Sequence, residues 1–243
     1  MAASRWDGRE SNQMRPPHVE FRPLLRSDGS ARFCFGHSNV VAAVYGPREP
    51  KSKVRELPDR AAFEVIVRPR VGIPGQAERT LEGYLLRQLD HIVIHAEYPR
   101  TQITLIVQVC SSDGSIRAAA GNAAFLALLD AGVALRATVL SVCIGVRGVA
   151  DDSQMLDETG QATVLTVPTL LLDPTELEEK DCDAIVTLGV DGRRESLVSS
   201  LSTGVALDAP VWASCVEAGC KSCQVLEAFL RMSLSKRLES FTR

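Results

Sequence analysis

The sequence predicts a mixed α/β (α+β) fold, with strands and helices interspersed along one chain. Three observations support this prediction. Apolar runs of strand length occur in both halves, turns containing glycine and aspartate separate them, and three longer segments carry apolar residues at three- and four-residue spacing. The 243 residues are 45% hydrophobic and 23% charged, which is ordinary for a globular protein and enough for one large core or two small ones.

Eight strands are predicted from the apolar runs. Turn sequences such as Ser27-Asp28-Gly29-Ser30 and Asp191-Gly192 separate them, because Asp and Gly favour tight turns. The predicted strands are Ala31–Cys34, Val40–Tyr45, Phe63–Val67, Ile103–Cys110, Val139–Arg147, Ala162–Thr166, Ala184–Leu188 and Leu197–Ser202.

Three helices are predicted, at about Gln76–His95, Arg117–Leu135 and Pro210–Arg237. The order is strands, helix, strand, helix, strands and helix. No internal repeat or long linker divides the chain. We therefore expect a flexible segment over residues 1–15 and a single domain over residues 16–243.

Composition excludes several classes of protein. The first residues contain no apolar run of signal-peptide length, and the most apolar stretch, Ala118 to Leu135, is interrupted by Asn122 and Asp130, so it predicts a buried helix rather than a membrane span. The seven cysteines are an odd number and lie largely in apolar runs, which favours buried thiols over a disulfide framework. We expect an intracellular protein with no membrane partner.

Charge is segregated along the chain although the net charge is only −3. Pro47 to Arg79 carries eight basic and five acidic residues, whereas Asp151 to Glu195 carries twelve acidic residues and three basic ones. Such a surface can steer a polyanion to one face. Two solvated faces without a ligand explain the same pattern.

The strongest candidate site is the turn Asp113-Gly114-Ser115 before the second helix. The first N–H groups of a helix have no intrahelical partner and attract anions, and Arg117 on the first turn adds a formal positive charge. This pattern predicts a phosphate-binding site. A plain helix cap without a ligand is the alternative.

The loop that precedes the first helix is a candidate RNA-binding segment. Arginine side chains and backbone amides bind phosphates without reading sequence. The candidate contacts are Arg68, Arg70, Gln76 and Arg79, and a ligand-free surface loop is an equal alternative.

Two metal-like patterns favour packing instead. His91 and His95 lack a third ligand, and the C-x-x-C pair Cys220 and Cys223 lacks a second pair.

Several motifs occur in the order found in the RNase PH family, and together they span about residues 7 to 240. The chain resembles that family in its D-G-R start, its G-S-A hairpin in the form used by exosome subunits, its phosphate loop and the end of its central helix. The matching segments are Asp7-Gly8-Arg9, Asn12-Gln13-Met14-Arg15-Pro16, Gly29-Ser30-Ala31, Val44-Tyr45-Gly46-Pro47, Asp113-Gly114-Ser115-Ile116-Arg117 and Leu129-Asp130-Ala131-Gly132-Val133.

The resemblance implies an RNase PH-like fold, a βαβα arrangement of mixed sheets and helices related to ribosomal protein S5 domain 2. It implies RNA as a partner and other RNase PH-like subunits in a hexameric exosome ring, or a homodimer outside the ring. It further implies inorganic phosphate as co-substrate and Mg²⁺ if the chain is active, and a location in the nucleus and nucleolus and also in the cytoplasm.

The resemblance also assigns site residues one by one. The phosphate loop falls on Gly114, Ser115, Ile116 and Arg117, with Ile116 where active members have threonine. The phosphate-facing arginine falls on Arg87, and Gly83 stands where a second arginine is found in bacterial members.

The resemblance places the acidic pair on Glu179 and Asp181, only two positions apart instead of six, with Asp183 as a substitute and Glu178 as a weaker one. Asp181 and Asp183 are the candidate metal ligands. A solvated acidic loop is the alternative.

Two functions follow from these assignments. The first is a structural, RNA-guiding subunit of an exosome ring that supports 3′-to-5′ RNA processing and degradation. The second is an active phosphorolytic 3′-5′ exoribonuclease. The lost hydroxyl, the lost arginine and the altered carboxylate spacing favour the first.

Overall fold

The computed structural model of the protein describes residues 5–50, 56–148, 168–194 and 196–241. These residues form nine strands, four α-helices and one short 3₁₀ turn, His95–Glu97. The strands are β1 Pro17–Phe21, β2 Gly29–Phe35, β3 Ser38–Arg48, β4 Ala62–Arg68, β5 Gln102–Ser111, β6 Val139–Arg147, β7 Thr169–Leu172, β8 Ala184–Asp191 and β9 Ser196–Gly204. The helices are α1 Gln76–Ile92, α2 Ile116–Asp130, α3 Glu176–Lys180 and α4 Ala209–Phe241.

The predicted fold class is confirmed, and three elements were missed: β1, β7 and α3. Two helix ends were placed too late. α1 ends at Ile92 rather than His95, and α2 ends at Asp130 rather than Leu135 because Gly132 adopts a positive φ of 70°, which stops a helix. The predicted strand Ala162–Thr166 lies outside the described residues.

The strands form two sheets. The first has the order β1-β2-β3-β5-β4, and its only parallel pair among the described strands, β4 and β5, is joined through α1. The second has the order β7-β6-β8-β9 and is antiparallel throughout. A parallel pair needs a crossover connection, so α1 is required between β4 and β5.

Helix α2 lies between the two sheets, packing against β2 and β3 on one side and β6 on the other. Every residue from Ala118 to Leu128 is buried, and many of them are alanines, whose small side chains allow close approach of both sheets. The one polar side chain in this stretch, Asn122, is satisfied: its amide donates to the Ser141 carbonyl at 2.9 Å and accepts from the Ser141 N–H at 2.7 Å.

Helix α4 covers β6 and β8, and its far end returns to the first sheet. There Arg237 pairs with the buried carboxylate of Asp130 at 2.5 Å and lies over the ring of Phe21 at 4.7 Å. Asp130 also accepts the Ser30 N–H at 3.0 Å, so the C-terminal end of α2 is bonded to both β2 and α4. None of the helices among the described residues combines the length and apolarity required to cross a membrane.

We expect Gly29→Ala to lower the free energy of unfolding by about 1–3 kcal/mol, because a methyl group there would overpack the end of α2. An added Cβ would lie 2.2 Å from the Ala131 nitrogen and 2.6 Å from the Ala127 carbonyl oxygen, which are backbone atoms that cannot rotate away. Urea unfolding measures the change.

Gly83→Ala in α1 is the matched control. Its added Cβ meets nothing within 4 Å, and alanine is the better helix former by about 1 kcal/mol, so this variant is expected to be as stable as the wild type or more stable. Equal destabilisation by both substitutions would contradict the packing argument.

Candidate functional site

A buried ionic cluster lies where the N-terminal segment meets the chain after β7. Arg15 forms a bidentate pair with Asp173, with its Nε and Nη2 each 2.7 Å from a carboxylate oxygen. Arg5 forms a second bidentate pair with Glu178, at 2.8 and 2.6 Å. These four side chains are at most 7% exposed, so each charge is compensated inside the protein.

The cluster fixes residues that the sequence predicts to be flexible. Within the segment 1–15, Arg5 also donates to the carbonyl groups of Leu172 and Asp173, and the Ser11 carbonyl accepts the Leu172 N–H at 2.9 Å. These contacts join the described residues 5–15 to the rest of the domain. The division into a flexible segment over residues 1–15 and a domain over residues 16–243 stays a prediction. The sequence pattern is polar and gave no sign of the distant carboxylates.

The same cluster holds the turn before α2. Arg15 donates to the Asp113 carbonyl at 2.7 Å, and the Ser38 hydroxyl donates to the Gly114 carbonyl at 2.6 Å. Gly114 has a φ of 74° and lies so close to the chain after β7 that an added Cβ would be 2.4 Å from the Pro174 carbonyl oxygen. Glycine is required here for both reasons.

The predicted phosphate-binding groups of this turn bind other parts of the protein. The Ser115 hydroxyl donates to the Pro174 carbonyl at 3.0 Å, and the Ser115 N–H donates to Oε1 of Glu179 at 2.7 Å. Ile116, which begins α2, contributes only its backbone and a partly buried apolar side chain. Gly114 and Ser115 are thus enclosed by the segment from Pro174 to Glu179.

Glu179 lies near enough to Arg117 for the positive charge of the guanidinium to act on its carboxylate. Burial raises the pKa of Glu179, and the hydrogen bond from Ser115 and the positive charge of Arg117 offset only part of that rise. Arg117 is half-buried and donates to the Thr203 hydroxyl at 3.2 Å. A carboxylate and a guanidinium therefore share the N-terminus of α2.

The remaining acidic residues point to different partners. Asp181 is exposed and pairs with Arg147 at 3.3 Å, and Asp183 accepts the Gly148 N–H at 2.6 Å. Glu179 faces Ser115 instead, so the predicted catalytic pair of Glu179 and Asp181 does not converge.

The residues present do not fit a Mg²⁺ ion. Magnesium needs oxygen ligands arranged around one point. Each of these carboxylates is held by a different donor, and the described part of the chain contains no group of three or more His, Cys, Asp or Glu residues that could hold a metal ion. The predicted metal pair of Asp181 and Asp183 is not supported by this geometry.

Arg87 lies on the exposed face of α1, where its Nε donates to the Gly83 carbonyl one turn earlier at 3.1 Å. The RNA-binding candidates form a separate group. Arg68 ends β4, Arg70 lies in the exposed loop that follows, Gln76 and Arg79 lie on the first turn of α1, and all four are exposed. The loop borders a pocket of about 360 Å³ whose base is fixed by a hydrogen bond from Gln108 to the Pro69 carbonyl at 2.9 Å.

Three residues that hold the turn before α2 in place are not predicted as site residues from the sequence: Ser38, Arg15 and Asp173. Two features of the sequence do point to this region. Thr175 and Glu178 have the spacing of a capping box, which the structure forms at the start of α3, and Arg15 belongs to the family-like motif Asn12-Gln13-Met14-Arg15-Pro16. The partners of Arg15 lie 98 and 158 positions away, a separation that no local pattern reports.

Comparison with known proteins decides the family. Residues 13–134 match domain 1 of the RNase PH 3′ exoribonuclease family, and residues 162–222 match its domain 2. The chain belongs to the RNase PH family. Both matches fall in the order that the motifs predict, and the turn Asp113-Gly114-Ser115 lies within the first.

Relatives within the RNase PH family extend over the whole chain. The "Exosome complex exonuclease RRP46 homolog" of Oryza sativa subsp. japonica is 34% identical over 239 residues, covering 98% of each chain. The protein of the same name from Arabidopsis thaliana is 32% identical over 253 residues, covering 97% of this chain and 98% of its own.

Solved structures agree with the RNase PH-like fold. The rice Rrp46 crystal structure superposes with a TM-score of 0.80 at 31% identity, covering 95% of this chain and 100% of that one. An Archaeoglobus fulgidus exosome with RNA bound to the active site matches with a TM-score of 0.74 at 18% identity, covering 94% and 93%, which supports the fold alone.

We expect Glu178→Gln to destabilise the protein by about 3–5 kcal/mol at neutral pH, because it replaces the buried carboxylate that pairs with the Arg5 guanidinium by a neutral amide. Burial alone would raise the pKa of Glu178, but hydrogen bonds from Arg5 and the Thr175 N–H outweigh it and lower the pKa to about 2 from an ordinary 4.5. Because the folded pKa is depressed, the stabilisation is fully present above pH 4.5 and is lost as the pH falls towards 2.

Urea unfolding between pH 3 and 7 tests this expectation, and the difference between variant and wild type should shrink towards the acid end. Glu176→Gln is the control, since Glu176 is exposed and pairs only with Lys180 at the surface; its effect should stay within about 0.5 kcal/mol. A difference that is constant with pH would refute the ionic origin.

Proposed function

We propose that this chain is an RNase PH-like subunit of an RNA exosome, of the type usually called exosome component five. It supports 3′-to-5′ RNA processing and degradation as a structural component of a hexameric ring, beside other RNase PH-like subunits. The full-length similarity to the plant RRP46 homologues supports the proposal, since it covers 98% of this chain in rice. By the same resemblance we propose that it acts in the nucleus and nucleolus and also in the cytoplasm.

One contact favours a structural role over catalysis. Phosphorolysis needs an inorganic phosphate oxygen to attack the last phosphodiester, so that the bond from phosphorus to the 3′ oxygen breaks and a nucleoside diphosphate leaves. The Ser115 N–H that would cradle this phosphate donates to Glu179, and the Ser115 hydroxyl donates to Pro174. Both donors of Ser115 are thus already used within the protein.

RNA guidance is assigned to the exposed loop between β4 and α1. Arg68 precedes this loop, Arg70 lies in it, and Arg79 is exposed on the following helix turn. Guanidinium groups in an exposed segment bind phosphates of any sequence, which suits a subunit that conducts RNA of many sequences.

The alternative function is an active phosphorolytic exoribonuclease, for example as a homodimer. The observation in its favour is that Arg117 still lies beside the turn with a carboxylate next to it. Inorganic phosphate would be its co-substrate.

We expect the purified chain, given a short RNA with a 3′-hydroxyl and inorganic phosphate, to release no nucleoside diphosphate, with or without Mg²⁺. Chromatography of the nucleotides measures release. The same preparation, mixed with RNase PH-like partner subunits, should enter a larger assembly by size-exclusion chromatography with light scattering. Release that depends on phosphate and disappears in Arg117→Ala would establish the alternative function instead.

We expect the double variant Arg70→Ala and Arg79→Ala to bind single-stranded RNA more weakly for all sequences alike. Losing two phosphate contacts should reduce the slope of log affinity against log salt by about 1.4, at about 0.7 per contact. Fluorescence anisotropy at several salt concentrations measures both. Arg26→Ala, an exposed arginine in the β1–β2 turn, is the control, and an equal loss in that variant would show that the loop has no special role.

A further inference from the structure

Strand β1 leaves one edge of the first sheet open. Among the described strands it pairs only with β2, and it stands at the end of the order β1-β2-β3-β5-β4. Successive residues of an antiparallel strand direct their N–H and C=O groups alternately towards the partner strand and away from it. The N–H of Arg22, just after β1, donates to the Ser30 carbonyl at 2.8 Å, so Val19 and Phe21 direct their backbone groups away from β2. An extended chain laid beside β1 would find hydrogen-bond partners there.

Helix α4 carries an apolar stripe beside this edge. Val225, Phe229 and Met232 are spaced by four and three residues, which places them on one side of the helix. Val225 is 63% exposed and Met232 is 59% exposed, whereas Phe229 is partly buried. Because α4 contacts β1, the inward-facing side chains of a chain added to β1 would meet this stripe.

A cavity lies at each end of the groove between β1 and α4. The cavity at the Pro17 end has a volume of about 770 Å³ and is bordered by Val225 and Phe229. The cavity at the Phe21 end has a volume of about 350 Å³ and is bordered by Leu234. The five residues of β1 span roughly 17 Å, so a chain of about seven residues is long enough to reach both cavities.

The charges along the groove differ between its two ends. At the Phe21 end Arg237 borders the cavity, and Arg22 lies 3.6 Å from Asp130. The Asp130 carboxylate is only 2% exposed, whereas the Arg22 side chain is 61% exposed, so the surface of this end is positive. At the Pro17 end Lys221 is paired with Glu217 at 2.6 Å, and the two charges cancel. A chain in the groove is therefore stabilised by a carboxylate at the Phe21 end.

We propose that the open edge of β1 and the apolar stripe of α4 bind an extended, acidic segment of a partner protein, which adds to the first sheet as a further strand. Its alternate apolar side chains enter the two cavities, and its acidic end lies beside Arg22 and Arg237. The inference goes beyond the proposed function and does not depend on it, because neither the turn before α2 nor the loop between β4 and α1 takes part.

The test is fluorescence anisotropy of the full-length chain with a panel of labelled peptides of about seven residues. Each peptide alternates Val, Leu or Phe with Thr and ends in two Asp residues. We expect members of the panel to bind, and the same peptides with Lys in place of Asp to bind at least about fivefold more weakly.

N-methylation of the peptide identifies strand addition. Only one of the two sets of alternate amides in an added strand can face β1. Methylating that set should weaken binding by at least about tenfold, because it removes the hydrogen bonds to β1, whereas methylating the other set should leave binding unchanged.

Matched variants locate the site on this chain. Val225→Asp should weaken binding by at least about tenfold, whereas Leu177→Asp, at a position 59% exposed on α3, should leave it unchanged. Arg22→Gln should weaken binding by about two- to fivefold. Its control is Arg100→Gln, since Arg100 is also exposed and its φ of 58° matches the 55° of Arg22. Thermal unfolding confirms that each variant is folded.

Three outcomes overturn the inference. The first is that no member of the panel binds, and the second is that a variant and its control lose binding equally or both methylated sets do. The third is a wild type that is dimeric by light scattering and becomes monomeric in Val225→Asp, which would make a second copy of the chain the occupant. None of them concerns phosphorolysis or entry into a ring, so the proposed function stands or falls separately.

Discussion

The bidentate ion pair between Arg15 and Asp173 is the constraint on which the site depends. It brings together the N-terminal segment, the turn before α2 and the chain after β7, which are distant in sequence. A buried charge is costly unless it is fully paired, and the second pair, Arg5 with Glu178, satisfies the neighbouring charges in the same way. Because both pairs are bidentate, they fix orientation as well as distance.

This constraint explains why adjacent acidic residues have different environments. Glu178 turns inward to Arg5, so the next residue, Glu179, is turned to the N-terminus of α2, and Asp181, two positions later, reaches the surface beside Arg147. The carboxylates that the family resemblance assigns to one acidic site therefore make separate contacts in this structure.

The sequence predicted the general fold because its signals are local. Periodic apolar residues located α1, α2 and α4, and the predicted turn Asp113-Gly114-Ser115 does lie directly before α2. Prediction from sequence failed where a segment is held by a residue that lies far away along the chain. The polar segment 5–15 gave no sign of Asp173 or Glu178, the short β7 and α3 are held by those contacts, and no spacing rule distinguishes Glu178 from Glu179.

The central position of α2 has a consequence for how the protein unfolds. A helix without a solvent-facing side gains almost all its stability from the surfaces around it, and these come from both sheets. Although α2 belongs to the stretch that matches the first family domain, it packs on β6, which lies beyond that stretch. The two halves should therefore lose their structure in a single cooperative transition, and the backbone amides of α2 should be among the slowest in the molecule to exchange with deuterated solvent.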